Sequence, residues 1–228
     1  MGRPEMDDSR CVQYVRELGI TVASVDYRLA PKYPFPAGLE DAYSALKWAH
    51  SNARELHLDA QRIAIGGASA GGGLAAGLVQ LARDRQEVHP VFQFLIYPML
   101  DDRTVLRTDL DDASNVTWSR ASNRFGWESY LRKKPGTKDL PAYAAPARRA
   151  DVSGLPPAWI AVGSLDSFHD EDVAYAQRLR ASQIECEVEI VAGAFHGFDV
   201  LDPRAPIVEK FRASQVAALR KHLFPSDA

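Results

Sequence analysis

Cysteine is nearly absent from this chain: Cys11 and Cys186 are the only two, far apart and without metal-ligand spacing. That argues against a disulfide scaffold and against a cysteine-built zinc site, and no metal is expected. No run of about eighteen apolar residues occurs, so no segment reads as a membrane-spanning helix. The opening stretch MGRPEMDDSR puts charges and a proline where a signal peptide needs an apolar core. Excess charge of one sign is missing too. The 27 Lys and Arg against 30 Asp and Glu leave a net charge of -3. No basic stripe interleaves with aromatics, which argues against nucleic acid as a partner. Internal repeats and low-complexity segments are also lacking. A soluble, cytoplasmic globular protein is the expectation these absences leave. With 228 residues, 46% of them hydrophobic, the chain can bury the core of a single domain over 1–228.

The elements that are there alternate. Met6–Leu18 reads as a helix stopped at Gly19, a residue suited to a C-cap. Ile20–Tyr27 is β-branched and apolar and predicts a buried strand. Arg28–Gly38, with three prolines, predicts a loop, and Leu39–His57 has helical spacing. A strand at Arg62–Gly66, a helix at Gly72–Arg83 and a strand at Val91–Leu100 follow. After an irregular stretch, a strand is expected at Pro157–Asp166, a helix at Glu171–Ala181, a strand at Glu185–Gly193 and a helix at Pro206–His222. This order predicts an α/β fold, a mostly parallel sheet with helices on both faces. The last strand, with Glu185, Glu187 and Glu189 alternating, reads as an edge that either supports a homodimer or faces water.

One hydroxyl stands in the tightest corner of the sequence. Gly67-Ala68-Ser69-Ala70-Gly71 is G-x-S-x-G set between a strand and a helix, the context of a nucleophile elbow. Gly67 and Gly71 are expected to let the backbones pass closely while Ser69 is held strained. The following helix aims its free N–H groups at the same spot. The same residues also fit an inert glycine-rich turn or an anion-binding turn. No lysine follows in a P-loop position, and G-x-G-x-x-G spacing is absent.

A serine needs a base to take its proton. Of six histidines, His50, His57, His89 and His222 read as solvated or packed. His169 lies close to Asp166, and His196 follows a strand in GAFHGFD. Asp166 ends the preceding strand and can fix the base's tautomer. Its rivals Asp170, Glu171 and Asp172 open a helix, where charge is favourable for its own sake. Ser69, Asp166, His196 is the order Ser…Asp…His expected of α/β-hydrolases.

With these residues in view, the chain resembles the bacterial hormone-sensitive-lipase-like (family IV) esterases of the α/β-hydrolase superfamily. The resemblance rests on VDYRLAPKYPFPAGLEDAYSALKW, GGASAGGGLAAG, LPPAWIAVGSLDSFHDEDVAYAQRL and GAFHGFD, in the family's order. It implies Ser69 as nucleophile, Asp166 as acid and His196 as base, acting without a cofactor on short-acyl carboxylic esters. Where the family often has an acid before the nucleophile, Ala68 stands here. The family's H-G-G-G motif, source of oxyanion donors, is absent, which leaves the backbone N–H of Ala70. The resemblance therefore implies an N-terminally truncated hydrolase lacking a central strand, with Ile20–Tyr27 pairing directly with Arg62–Gly66 or completed by another chain. Asp101–Tyr143 falls where the family places part of a helical cap. Trp118, Phe125, Trp127 and Tyr130 there either line an acyl pocket or hold the insertion to the body. Three functions remain open: a serine carboxylesterase, a catalytically weak remnant serving as a binding or assembly module, and an amidase or peptidase on the same fold.

Overall fold

The computed structural model describes residues 2–110 and 116–224. Four parallel strands form one sheet in the order β1 (Ala64–Ala68), β2 (Phe92–Ile96), β3 (Ala158–Gly163), β4 (Cys186–Val191). Helices α1 (Asp8–Leu18), α2 (Ala37–Ser51), α3 (Ala70–Arg85), α4 (Arg120–Leu131), α5 (His169–Ala181), α6 (Phe198–Leu201) and α7 (Pro206–Leu223) complete the order expected of alternating elements.

The two-residue period of the strands sorts their side chains between two cores. Ile65, Leu95, Ala158 and Ile160 join α2, α3 and α5 in one. Phe92, Phe94, Ile96, Trp159 and Ala161 join α1 and α7 in the other. On that second face Trp159 stacks on Phe94 at 5.0 Å and on Phe211 of α7 at 6.1 Å. Sequential parallel strands, each fed by a crossover, put all strand C-termini on one edge of the sheet, where ligands are bound in open α/β sheets.

Local chemistry explains most boundaries. Gly19 closes α1 in the left-handed region at φ 66°. The helix expected over Leu39–His57 stops at Ser51 because Asn52 turns its side-chain amide onto the Trp48 carbonyl at 2.8 Å. The strand expected to reach Leu100 ends at Ile96 because Tyr97 takes φ 34°.

One expected element does not form. Ile20–Tyr27 belongs to no strand, and among the described residues β1 pairs only with β2. Direct pairing with Arg62–Gly66 is therefore overturned. The segment keeps Ile20 and Val22 packed against the α1–α7 core. A β-branched sequence can supply the extended backbone, but a ladder needs a second segment alongside.

The stretch after β2 forms a short 3-10 turn, Asp102–Leu106, and then α4. Both pack on a third apolar cluster containing Met99, Val105, Trp127, Leu131 and Phe168. No described helix is long and apolar enough to cross a membrane.

Candidate active site

The turn from β1 to α3 is built by what its glycines omit. A Cβ on Gly67 would stand 2.3 Å from the Gly71 carbonyl oxygen. One on Gly72 would meet Pro98 Cβ at 2.8 Å, and one on Gly73 the Met99 carbonyl at 2.0 Å. A Cβ on Gly71 would meet nothing within 4 Å, so the room expected from Gly71 is not a steric need at that residue. The close approach is one-sided: the missing Cβ of Gly67 faces Gly71's backbone. Gly72 and Gly73, which the motif does not include, let α3 lie against the segment after β2.

Ser69 sits at φ 54°, ψ -120°, a region that side chains avoid. Its own backbone holds it there. Its N–H donates to the Ile96 carbonyl at 2.9 Å, and its carbonyl accepts from Gly73 and Met99, both at 3.0 Å. The strain lifts Oγ clear of the sheet, at the start of α3, whose first N–H groups have no partner within the helix. Ala70 opens that helix.

Ser69 Oγ lies 2.8 Å from His196 Nε2, and His196 Nδ1 lies 2.8 Å from Asp166 Oδ2. The three residues follow β1, β4 and β3 at the same edge of the sheet. Asp166, whose side chain is fully buried, accepts the Phe168 N–H on its other oxygen at 2.9 Å. Gly163 was not singled out from the sequence, yet a Cβ there would stand 2.2 Å from the Ala194 carbonyl. It lets the loop carrying His196 close over the end of β3.

The rival residues are engaged elsewhere. His169 Nδ1 is 2.8 Å from Asp170, which also pairs with Arg107. Glu171 and Asp172 lie in the first turn of α5, as expected, but do not serve there as exposed helix-end charge. Both are buried. Glu171 accepts the N–H groups of Leu100 at 2.6 Å and Asp101 at 3.1 Å, and the Thr104 hydroxyl. Burial outweighs those donors and pushes its carboxyl up to about 8. Neither oxygen of Asp172 has a partner among the described residues. Burial, then the nearby Glu171 and Asp166, raise that carboxyl well above its ordinary value.

Of the four aromatic residues named in the insertion, Trp127 is buried in the third cluster, and Trp118 and Tyr130 pack against it. Tyr130 also meets Phe35 edge-on at 5.6 Å. Phe125 does not join the cluster and is 59% exposed. Thr117, also unremarked in the sequence, donates its hydroxyl to the His196 carbonyl and so ties the stretch before α4 to the loop carrying His196.

Among the described residues, Glu185, Glu187 and His222 bring potential metal donors within 4.8 Å of one another. They lie at the opposite end of the sheet, and Lys221 already pairs with both carboxylates.

Comparison with known proteins bears on the fold and family. The family described as alpha/beta hydrolase fold matches residues 1–200. The carboxylesterase NlhH of Mycobacterium tuberculosis is 37% identical over 204 residues, covering 89% of this chain and 64% of the relative. The esterase LipI of the same organism is 35% identical over 201 residues, covering 87% and 62%. The chain thus spans under two thirds of the length of these two relatives. Among solved structures, a bacterial heroin esterase superposes with a TM-score of 0.93 at 41% identity, covering 98% of this chain and 71% of that one.

Proposed function

From the premise that the chain belongs to the α/β-hydrolase family, in its hormone-sensitive-lipase-like branch, we propose that it is a serine carboxylesterase acting on short-acyl esters. The observation that carries this is the continuous hydrogen-bonded line from Ser69 through His196 to Asp166, with both contacts at 2.8 Å.

In this reading His196 Nε2 takes the Ser69 proton as Oγ attacks the ester carbonyl. Asp166 holds Nδ1–H and steadies the imidazolium that forms. The Ala70 N–H, at the positive end of α3, receives the oxyanion. His196 then protonates the departing alcohol, leaving an acyl group on Ser69. A water, deprotonated by the same nitrogen, releases the acid. Removing one oxyanion donor typically costs about 10²–10³ in kcat, so the Ala70 N–H carries a large share of the rate in this reading. The stretch carrying α4 acts as a partial cap.

The expected outcome is saturable hydrolysis of p-nitrophenyl acetate and butyrate, abolished by Ser69→Ala and by His196→Ala. Turnover no faster than that of Ser69→Ala would reject the esterase. A second reading, a binding or assembly module, is favoured by the edge of β1 and by Ile20–Tyr27, neither of which has a strand partner there among the described residues, and the same comparison separates the two. A chain-length series peaking at long acyl groups would reject the short-acyl preference.

A further inference from the structure

We propose that Tyr97 is a positioning residue for His196, held in place by a buried relay through Asp199 to Arg10. This rests on the reading of His196 as the general base.

Tyr97 comes directly after β2 and is 3% exposed. Its ring packs on the His196 imidazole with centroids 4.8 Å apart at 65°. A second ring, Phe168, meets the same imidazole at 4.9 Å and 85°. The hydrogen bonds to Ser69 and Asp166 act in the plane of the imidazole. The two aromatic rings limit its tilt. A base that takes a proton from Ser69 and hands it to a leaving group needs both restraints.

Packing alone does not explain the tyrosine. Its backbone is strained, at φ 34°, and is fixed by donation of its N–H to the Ala161 carbonyl at 2.6 Å. Its buried hydroxyl must find an acceptor, and donates to Asp199 Oδ1 at 2.7 Å. Asp199 is itself 5% exposed, and a buried carboxylate needs a counter-charge. Arg10 of α1, 189 positions away in the chain, supplies it at 2.9 Å to the other oxygen. Burial, then the neighbouring Asp199, push the Tyr97 phenol up, so it stays a donor. Asp199 lies three positions beyond His196, on α6. The relay therefore cross-links the loop that carries the base to the end of β2, beside the elbow, and ties both to α1.

The test compares Tyr97→Phe, Asp199→Ala and Asp199→Asn with the parent chain. It reads kcat and KM for p-nitrophenyl acetate and the low-field proton resonance of the His196 Nδ1–H bond to Asp166. Tyr97→Phe and Asp199→Ala are each expected to lower kcat roughly 10–100-fold, since small misplacements of reacting groups cost that much, and to leave KM nearly unchanged. The low-field resonance broadens in both. The double variant is no worse than either single one, because the residues act as a unit. Asp199→Asn, which still accepts from Tyr97, recovers most of the rate. An unchanged kcat in Tyr97→Phe, or losses that only track the folded fraction by circular dichroism, would overturn the proposal. If the parent shows no Ser69-dependent turnover, the esterase reading fails by itself. The resonance then decides: its persistence unchanged in Tyr97→Phe overturns the positioning role, and its loss supports it.

Discussion

At the residue scale, the acids behind the site behave unlike acids on a surface. The Glu171 carboxyl, pushed up to about 8 by burial, keeps a proton in the folded chain that the unfolded chain releases near the ordinary carboxylate value. Between those two values the unfolded state binds fewer protons, so stability falls as pH rises. One such group imposes a slope of up to about 1.4 kcal/mol per pH unit. Asp172 adds to it in the same direction. Chemical denaturation of the parent chain from about pH 5 to about pH 8 is therefore expected to show declining stability. Glu171→Gln, which keeps an acceptor for the Leu100 and Asp101 N–H groups, should flatten that decline. Parallel slopes in the two proteins would remove Glu171 as the cause. Their place in the first turn of α5 follows from local position; their burial depends on which elements close over them, which no local pattern carries.

At the scale of elements, the β1–α3 elbow separates glycines that are needed from those that are not. Gly73→Ala drives a Cβ to 2.0 Å from the Met99 carbonyl, and Gly67→Ala to 2.3 Å from that of Gly71. Backbone cannot yield as a flexible side chain can, so each should cost about 1–3 kcal/mol or more in overpacking and displace Ser69. Gly71→Ala meets open space and has no φ penalty, so its folding stability should stay close to the parent's. Thermal melts of the three variants check the order; equal losses at Gly71 and Gly73 would contradict the steric account. The motif G-x-S-x-G made Gly67 legible in the sequence. Gly72, Gly73 and Gly163 were not, because the atoms they make room for come from Pro98, Met99 and Ala194, distant in the chain.

At the scale of the whole molecule, stability should be graded across the sheet. All residues of β2 and β3 are buried, while β1 is an outer strand with Gly66 exposed. Ile20–Tyr27 belongs to no strand of the sheet. Hydrogen exchange is expected to be slowest in β2 and β3, faster in β1, and fast over Ile20–Asp26, since unpaired backbone exchanges without global unfolding. Slow exchange in that segment would show that it is paired in solution.

The sequence by itself determined the alternation of elements, the α/β fold and the identity of Ser69, Asp166 and His196 as the chemically plausible set. These follow from local causes: side-chain period, residues that tolerate sharp turns, and a serine, an aspartate and a histidine each placed just after a strand. Tertiary structure decided the rest. It withheld strand status from Ile20–Tyr27, because a ladder needs two segments. It turned Glu171 and Asp172 inward, and it gathered Tyr97, Asp199 and Arg10 beside His196. Each of those outcomes depends on contacts between residues far apart in the chain, and spacing along one segment carries no record of them.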